Sequence, residues 1–100
     1  MEAKKPRYRI DEWGLSKRSG SYRLIGRCEN HEKWLSMGIE ERRNAAHLTT
    51  SKVIRFDFNA RIAETANSIY ELGSIDSIWS QFLEEDGVLI SSFNFDEREV

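Results

Sequence analysis

The run Val53-Ile54-Arg55-Phe56-Asp57-Phe58 is written in a period of two. Val53, Arg55 and Asp57 alternate with Ile54, Phe56 and Phe58; such alternation sends side chains to opposite faces of a strand, whereas a helix would scatter them round its axis. The Ile54, Phe56, Phe58 face is strongly apolar, and the other face carries charges suited to cross-strand ion pairs. Asn59 and Ala60 make a short turn. Arg61 to Thr65 and Ser68 to Leu72 then read as two strand pieces with Asn67 near a bend, or equally as one bulged strand.

Beyond Gly73 the period changes. Ile75, Ile78, Trp79, Phe82 and Leu83 fall at i, i+3, i+4, i+7 and i+8, which predicts an amphipathic helix from about Ile75 to Asp86. Ser74 is the expected N-cap, Asp76 favours the positive end of the helix dipole, and Gly87 suits the position just past the C-terminus. The apolar stripe needs a surface to cover, and the Ile54, Phe56, Phe58 face is the candidate. Val88 to Ile90 reads as an edge strand, and residues 91–100 as an acidic tail anchored by Phe93 and Phe95.

Towards the N-terminus, residues 1–7 are basic, contain the only proline and suit a flexible arm. Tyr8, Ile10 and Glu12 alternate with Arg9, Asp11 and Trp13, after which Gly14 and the stretch Lys17 to Ser21 supply turn chemistry. From Tyr22 to Cys28 the period of two returns, with Arg23, Ile25 and Arg27 on a basic outer face and Tyr22, Leu24, Gly26 and Cys28 on the other. The simplest arrangement pairs this strand antiparallel to the first. Residues 29–47 read as a long loop with one or two helical turns around Trp34, Leu35 and Ile39. The expected architecture is a single α+β domain over residues 1–100. A twisted antiparallel sheet of five or six strands, partly rolled into a barrel, carries one C-terminal amphipathic helix.

Composition narrows the function classes. Cys28 is the only cysteine, so a scaffold stapled by internal disulfides is excluded. The chain offers no signal-peptide pattern and no apolar run long enough for a membrane span, so a cytoplasmic location is expected. The net charge of −2 hides strong sorting: residues 1–62 carry 14 Lys+Arg against 8 Asp+Glu, and residues 63–100 carry 1 against 9. Segregation of this kind bears on partners. A dimer joining one molecule's basic end to another's acidic end is one arrangement it permits.

Chemical motifs are sparse. Cys28-x-x-His31 has metal-ligand spacing and His47 offers a third ligand, but a fourth is missing, which favours an ordinary buried thiol and a surface histidine. His31 and His47 as an acid–base pair, with Arg42 or Arg43 holding a phosphate, would suit RNA cleavage; nothing in the sequence brings them together. No nucleophile elbow, glycine-rich phosphate loop, HExxH or calcium-loop pattern occurs, so neither an enzyme nor a cofactor is expected.

Two surfaces remain. Arg7, Arg9, Lys17, Arg18, Arg23 and Arg27, interleaved with Tyr8, Trp13 and Tyr22, are candidates for binding single-stranded nucleic acid, against the alternative of a solvated strand face with stems covering aromatics. The overall pI of about 5.7 weighs against it. Asp76, Glu84, Glu85, Asp86, Asp96 and Glu97, with Glu99, are candidates for docking a basic protein surface, and Trp34 for an aromatic anchor beside them.

From Trp13 to Gly87 the chain resembles a group of short proteins of bacterial phages and mobile elements. The pieces are Trp13, Tyr22-Arg23-Leu24-Ile25-Gly26-Arg27, His31, Thr50 to Asp57, Thr65-Ala66-Asn67-Ser68-Ile69-Tyr70-Glu71-Leu72-Gly73, and Trp79 before Gly87. The chain departs from that pattern after His31, where Trp34 to Ala46 replaces a shorter loop containing proline and glycine. The resemblance implies a phage or mobile-element context, in which proteins of this size often bind a host or defence complex, anti-CRISPR inhibitors among them; joined to the lack of catalytic motifs, it leads to the expectation of a non-enzymatic inhibitor of a host nucleic-acid-handling or defence complex acting through the acidic helix end and tail. The alternative expectation is a small nucleic-acid-binding protein using its basic N-terminal strands.

Overall fold

The structure, a computed structural model, describes residues 5–31, 37–38, 40–41 and 46–97. Its elements are β1 (Arg7–Arg18), β2 (Ser21–Arg27), β3 (His47–Asp57), β4 (Ile62–Thr65), β5 (Ile69–Leu72), helix α1 (Ser77–Glu85), a 3-10 turn (Ile90–Phe93) and β6 (Phe95–Asp96). The class is α+β, as expected. The six strands lie in the order β2-β1-β5-β4-β3-β6, and β2 also pairs with β3, so the hydrogen bonds run in a ring from β1 through β2, β3, β4 and β5 back to β1.

That closure corrects the expectation of a purely antiparallel sheet. Four successive antiparallel pairings reverse the chain four times, which leaves β5 pointing the same way as β1. The pairing that joins them is therefore parallel, with Arg7 opposite Ile69 and Ile10 opposite Leu72. The basic arm is shorter than its sequence suggests. Arg7 already belongs to β1, the Pro6 carbonyl accepts from Ile69 N, and Lys5 donates to the Glu64 carboxylate.

β1 continues through Gly14 to Arg18, where a loop was expected, and only Ser19-Gly20 turns the chain into β2. Its irregularity is a bulge between Asp11 and Gly14, with Glu12 at φ 50°. The bulge frees Glu12 and Trp13 from β2 and hands their backbone to the segment before α1. Glu12 N donates to Ser74 Oγ, Trp13 N to the Ser74 carbonyl, and Asp76 N to the Trp13 carbonyl. Ser74 and Ile75 are thereby held in extended backbone beside β1. The helix begins later than predicted, at Ser77, and its N-cap is Asp76, whose Oδ1 accepts from Trp79 N at 2.8 Å. Gly87, at φ +66°, ends α1 as predicted: its N–H bonds Glu84 O while Val88 N bonds Leu83 O.

A second bulge corrects the face of β3. Register slips between Val53 and Arg55 against β4, so Val53 and Phe56, three positions apart, both point into the core at 1% exposure while Ile54 is only half-buried. Around them Ile10, Trp13, Leu24, Cys28 and Ala63 are fully enclosed. The outer face of β3 forms the foreseen cross-strand pairs, with Arg55 3.7 Å from Asp96 and 3.9 Å from Glu64. Val88 to Ile90 forms no strand. The edge strand is β6 instead, antiparallel to β3 at Arg55 and Phe56, and Phe93 and Phe95 pack on the core beside Tyr22.

Candidate docking surface

The helix does not bury the stripe that its sequence offers. Leu83 is buried, and Ile75 and Trp79 are half-buried against the core, with Trp79 lying on Trp13. Ile78 and Phe82 stand 65% and 59% exposed. The reason is angular. Within α1, at 100° per residue, Trp79 and Leu83 make one row and Ile78 and Phe82 a neighbouring one, while Ile75 precedes the helix, bridged to Trp13. Trp13, projecting at the β1 bulge, meets Trp79 of the first row. The predicted covering of Ile54, Phe56 and Phe58 by the whole stripe does not occur.

Ile78 and Phe82 line a shallow groove with Gln81 and Glu85, and Gln81 Nε2 donates to Glu85 Oε1 at 3.4 Å. Past the helix end, Val88 and Leu89 are 37% and 73% exposed and share a second groove of about 390 Å³ with Phe58, Leu83 and Glu84. Glu84, Glu85 and Asp86 are exposed, and among the described residues no Lys or Arg pairs with them. The last turn of α1 contains no basic residue. Carboxylates at the negative end of a helix dipole oppose it, by roughly 0.3–1 kcal/mol each in low salt. Outward apolar side chains and acids at the wrong end of the helix are both unfavourable for the isolated domain.

The other acidic candidates are separated from this end. Asp76 caps the opposite end of the helix, Asp96 pairs with Arg55, and Glu97 lies 3.1 Å from Lys52. Trp34 and Glu99 lie outside the described residues, as do Arg42, Arg43 and most of the expected loop over 29–47.

Of the aromatics interleaved with the basic candidates, Tyr22 alone is partly exposed. Tyr8 and Trp13 are core residues at 7% and 0% exposure, so they offer no stacking platform. Arg7 reaches Glu71 at 3.4 Å, Arg9 reaches Asp11 at 3.2 Å, Lys17 sits over the Tyr22 ring, and Arg27 lies 3.3 Å from Glu29. Arg23 donates to the Thr50 carbonyl, and Arg18 is exposed at the hairpin tip. Comparisons of the chain with protein-family models, with curated proteins and with solved structures give no match.

Cys28 is buried, with Sγ 3.6 Å from Asn30 Oδ1; the His31 ring stacks on Tyr8 at 4.3 Å, and His47 lies exposed on β3. Among the described residues no three His, Cys, Asp or Glu side chains gather as metal ligands. No helix among them is long and apolar enough to cross a membrane. Titration is perturbed at two structural points. Arg9, hydrogen-bonded to Asp11, holds that carboxyl below the usual carboxylate range, and Asp11 Oδ1 in turn accepts from Ser74 N at 3.0 Å. Burial pushes the Tyr70 phenol up.

The outward pair Ile78 and Phe82 was not singled out from the sequence. The available signal was stripe width: five apolar residues in two adjacent rows make a band of about 140°. That is wider than one tryptophan can cover.

Proposed function

We propose that this chain is a non-enzymatic binding protein whose helix α1 docks a partner protein through Ile78 and Phe82, with Glu84, Glu85 and Asp86 directing it to a basic surface. The observation that carries this reading is the outward placement of Ile78 and Phe82, 65% and 59% exposed, on a helix whose final acids meet no Lys or Arg among the described residues. Apolar anchors with a charged rim are the usual anatomy of a protein interface, and the acids favour a partner rich in Lys and Arg. Nucleic-acid-handling complexes present such surfaces. Together with the resemblance to phage and mobile-element proteins, this points to a cytoplasmic inhibitor of a host nucleic-acid-handling or defence complex, of the anti-CRISPR kind.

The test is capture of bound proteins from nuclease-treated bacterial lysate carrying defence systems, followed by assay of the captured complex for loss of its nuclease activity. One nucleic-acid-handling complex should be retained and inhibited, and the Phe82→Ser and Glu84→Lys/Glu85→Lys variants should release it while remaining folded by circular dichroism. Retention unchanged in both variants would overturn the assignment of this face.

A further inference from the structure

The outward residues of β2 face exposed residues of β3: Ile25 faces Thr49 and Arg27 faces His47, and across a register shift between Ile25 and Arg23, Arg23 faces Lys52. Positive or protonatable side chains stand opposite each other at both ends of this row, and like charges facing each other across a sheet weaken the pairing. Compensation from carboxylates is incomplete. Glu29 lies 3.3 Å from Arg27 and Glu97 3.1 Å from Lys52, but among the described residues no carboxylate pairs with Arg23. Thr49 and Ser51 place exposed hydroxyls on β3, and Lys17 and Arg18 lie beyond Arg23 at the hairpin tip, opposite Tyr22 and Ser21.

The dimensions select among anions. Arg23 and Arg27 are four residues apart on one strand, about 13 Å, too far for one phosphate to touch both ends. The row is two strands wide, about 5 Å, which matches one phosphodiester chain better than the two of a duplex. Only Ile25, 39% exposed, offers an apolar surface between the ends, so bases have no ring to stack on and recognition falls on the backbone.

We propose that the outer face of β2 and β3 binds the phosphate backbone of single-stranded nucleic acid without sequence preference. Arg23 and Lys52 hold one phosphate, Arg27 and His47 hold another further along, and the Thr49 and Ser51 hydroxyls donate between them. The net charge of −2 does not forbid this, because 14 of the 15 Lys and Arg fall in residues 1–62, the part of the chain that supplies β2 and β3.

The experiment is fluorescence anisotropy of a labelled twenty-nucleotide oligo-dT titrated with the full chain at several salt concentrations. Binding should weaken linearly in log–log form, with a slope of about −0.7 for each phosphate neutralised. Arg23→Ala/Arg27→Ala should weaken binding by about tenfold or more at low salt and flatten the slope by about 1.4. Arg23→Lys/Arg27→Lys should keep the slope, and Glu84→Lys/Glu85→Lys should not abolish binding. Absence of binding at 50 mM salt overturns the proposal, as does a slope unchanged in the double alanine variant with its fold intact by circular dichroism. Equal displacement of the oligonucleotide by polyglutamate at matched charge would assign the face to acidic proteins instead and also overturn it.

Discussion

The indole of Trp79 lies across that of Trp13, ring centroids 5.6 Å apart and planes at 53°. Trp13 is fully enclosed and also touches Phe56 and Phe58, while Trp79 reaches on to Phe93. The pair is the seam between the strand ring and the helix that carries the proposed docking face.

Trp79→Ala should therefore loosen α1. A buried Trp→Ala change costs roughly 3–5 kcal/mol, and a half-buried one about half of that. Urea unfolding followed by far-UV circular dichroism should show a lower midpoint, with near-UV signal lost first. An unchanged midpoint would mean that the helix is held by other contacts.

Phe82→Ser and Ile78→Ser should leave stability within about 0.5 kcal/mol of the parent, because both side chains already face water. Capture of the partner should fall by tenfold or more for Phe82→Ser. A loss of several kcal/mol on either substitution would show that the face is covered within the domain.

Glu84→Lys/Glu85→Lys should raise thermal stability at low salt, since cations complement the helix C-terminus that the native acids oppose; each replacement is worth roughly 0.3–1 kcal/mol. The gain should shrink in high salt as screening sets in. Partner binding should move the other way. A variant more stable yet inactive would separate what the fold favours from what the interface requires.

Acid sensitivity should centre on Asp11. Its carboxyl is held below the usual carboxylate range by hydrogen bonding to Arg9, and also by Ser74, so its contribution is fully present above the unfolded pKa. That contribution fades as pH falls through the lower folded pKa. Asp11→Asn should flatten the acid limb of a stability profile between pH 2 and 5. Tyr70 has the opposite sense: burial raises its pKa, so the stability it confers is present below pH 10 and lost as pH rises past it. A Gly73→Ala variant should mimic the loss of Asp11, because a Cβ there would collide with the Asp11 carboxylate.

Local patterns in the chain carried much of this architecture. The alternation from Tyr22 to Cys28, the paired strands around Asn67 and the Gly87 stop are short-range features, and each appears where the residues placed it. What the chain did not disclose depends on meetings between distant segments. Val53 rather than Ile54 faces the core because β4 slips past a bulge, and no residue near Val53 announces that slip. The late start of α1 follows from Ser74 being claimed by Glu12 and Trp13, far away in sequence. The proposed docking face had the same origin, since Ile78 and Phe82 stay exposed while the helix meets Trp13, distant in sequence, through Trp79. Charge sorting was visible from the start, but the opposition of Arg23 to Lys52 required the register of β2 on β3.

The parallel pairing of β1 with β5 also orders events in time. A chain made from its N-terminus forms the β1–β2 hairpin early, but Tyr8 to Ile10 must wait for Tyr70 to Leu72 before their second edge is satisfied. Until then that edge is a template for stray strands, and Arg7 and Arg9 flanking Tyr8 are the charges that discourage such pairing. Ring closure is a late, long-range step of folding. During synthesis, arginines later tied to Glu71 and Asp11 serve first as guards of an unfinished seam.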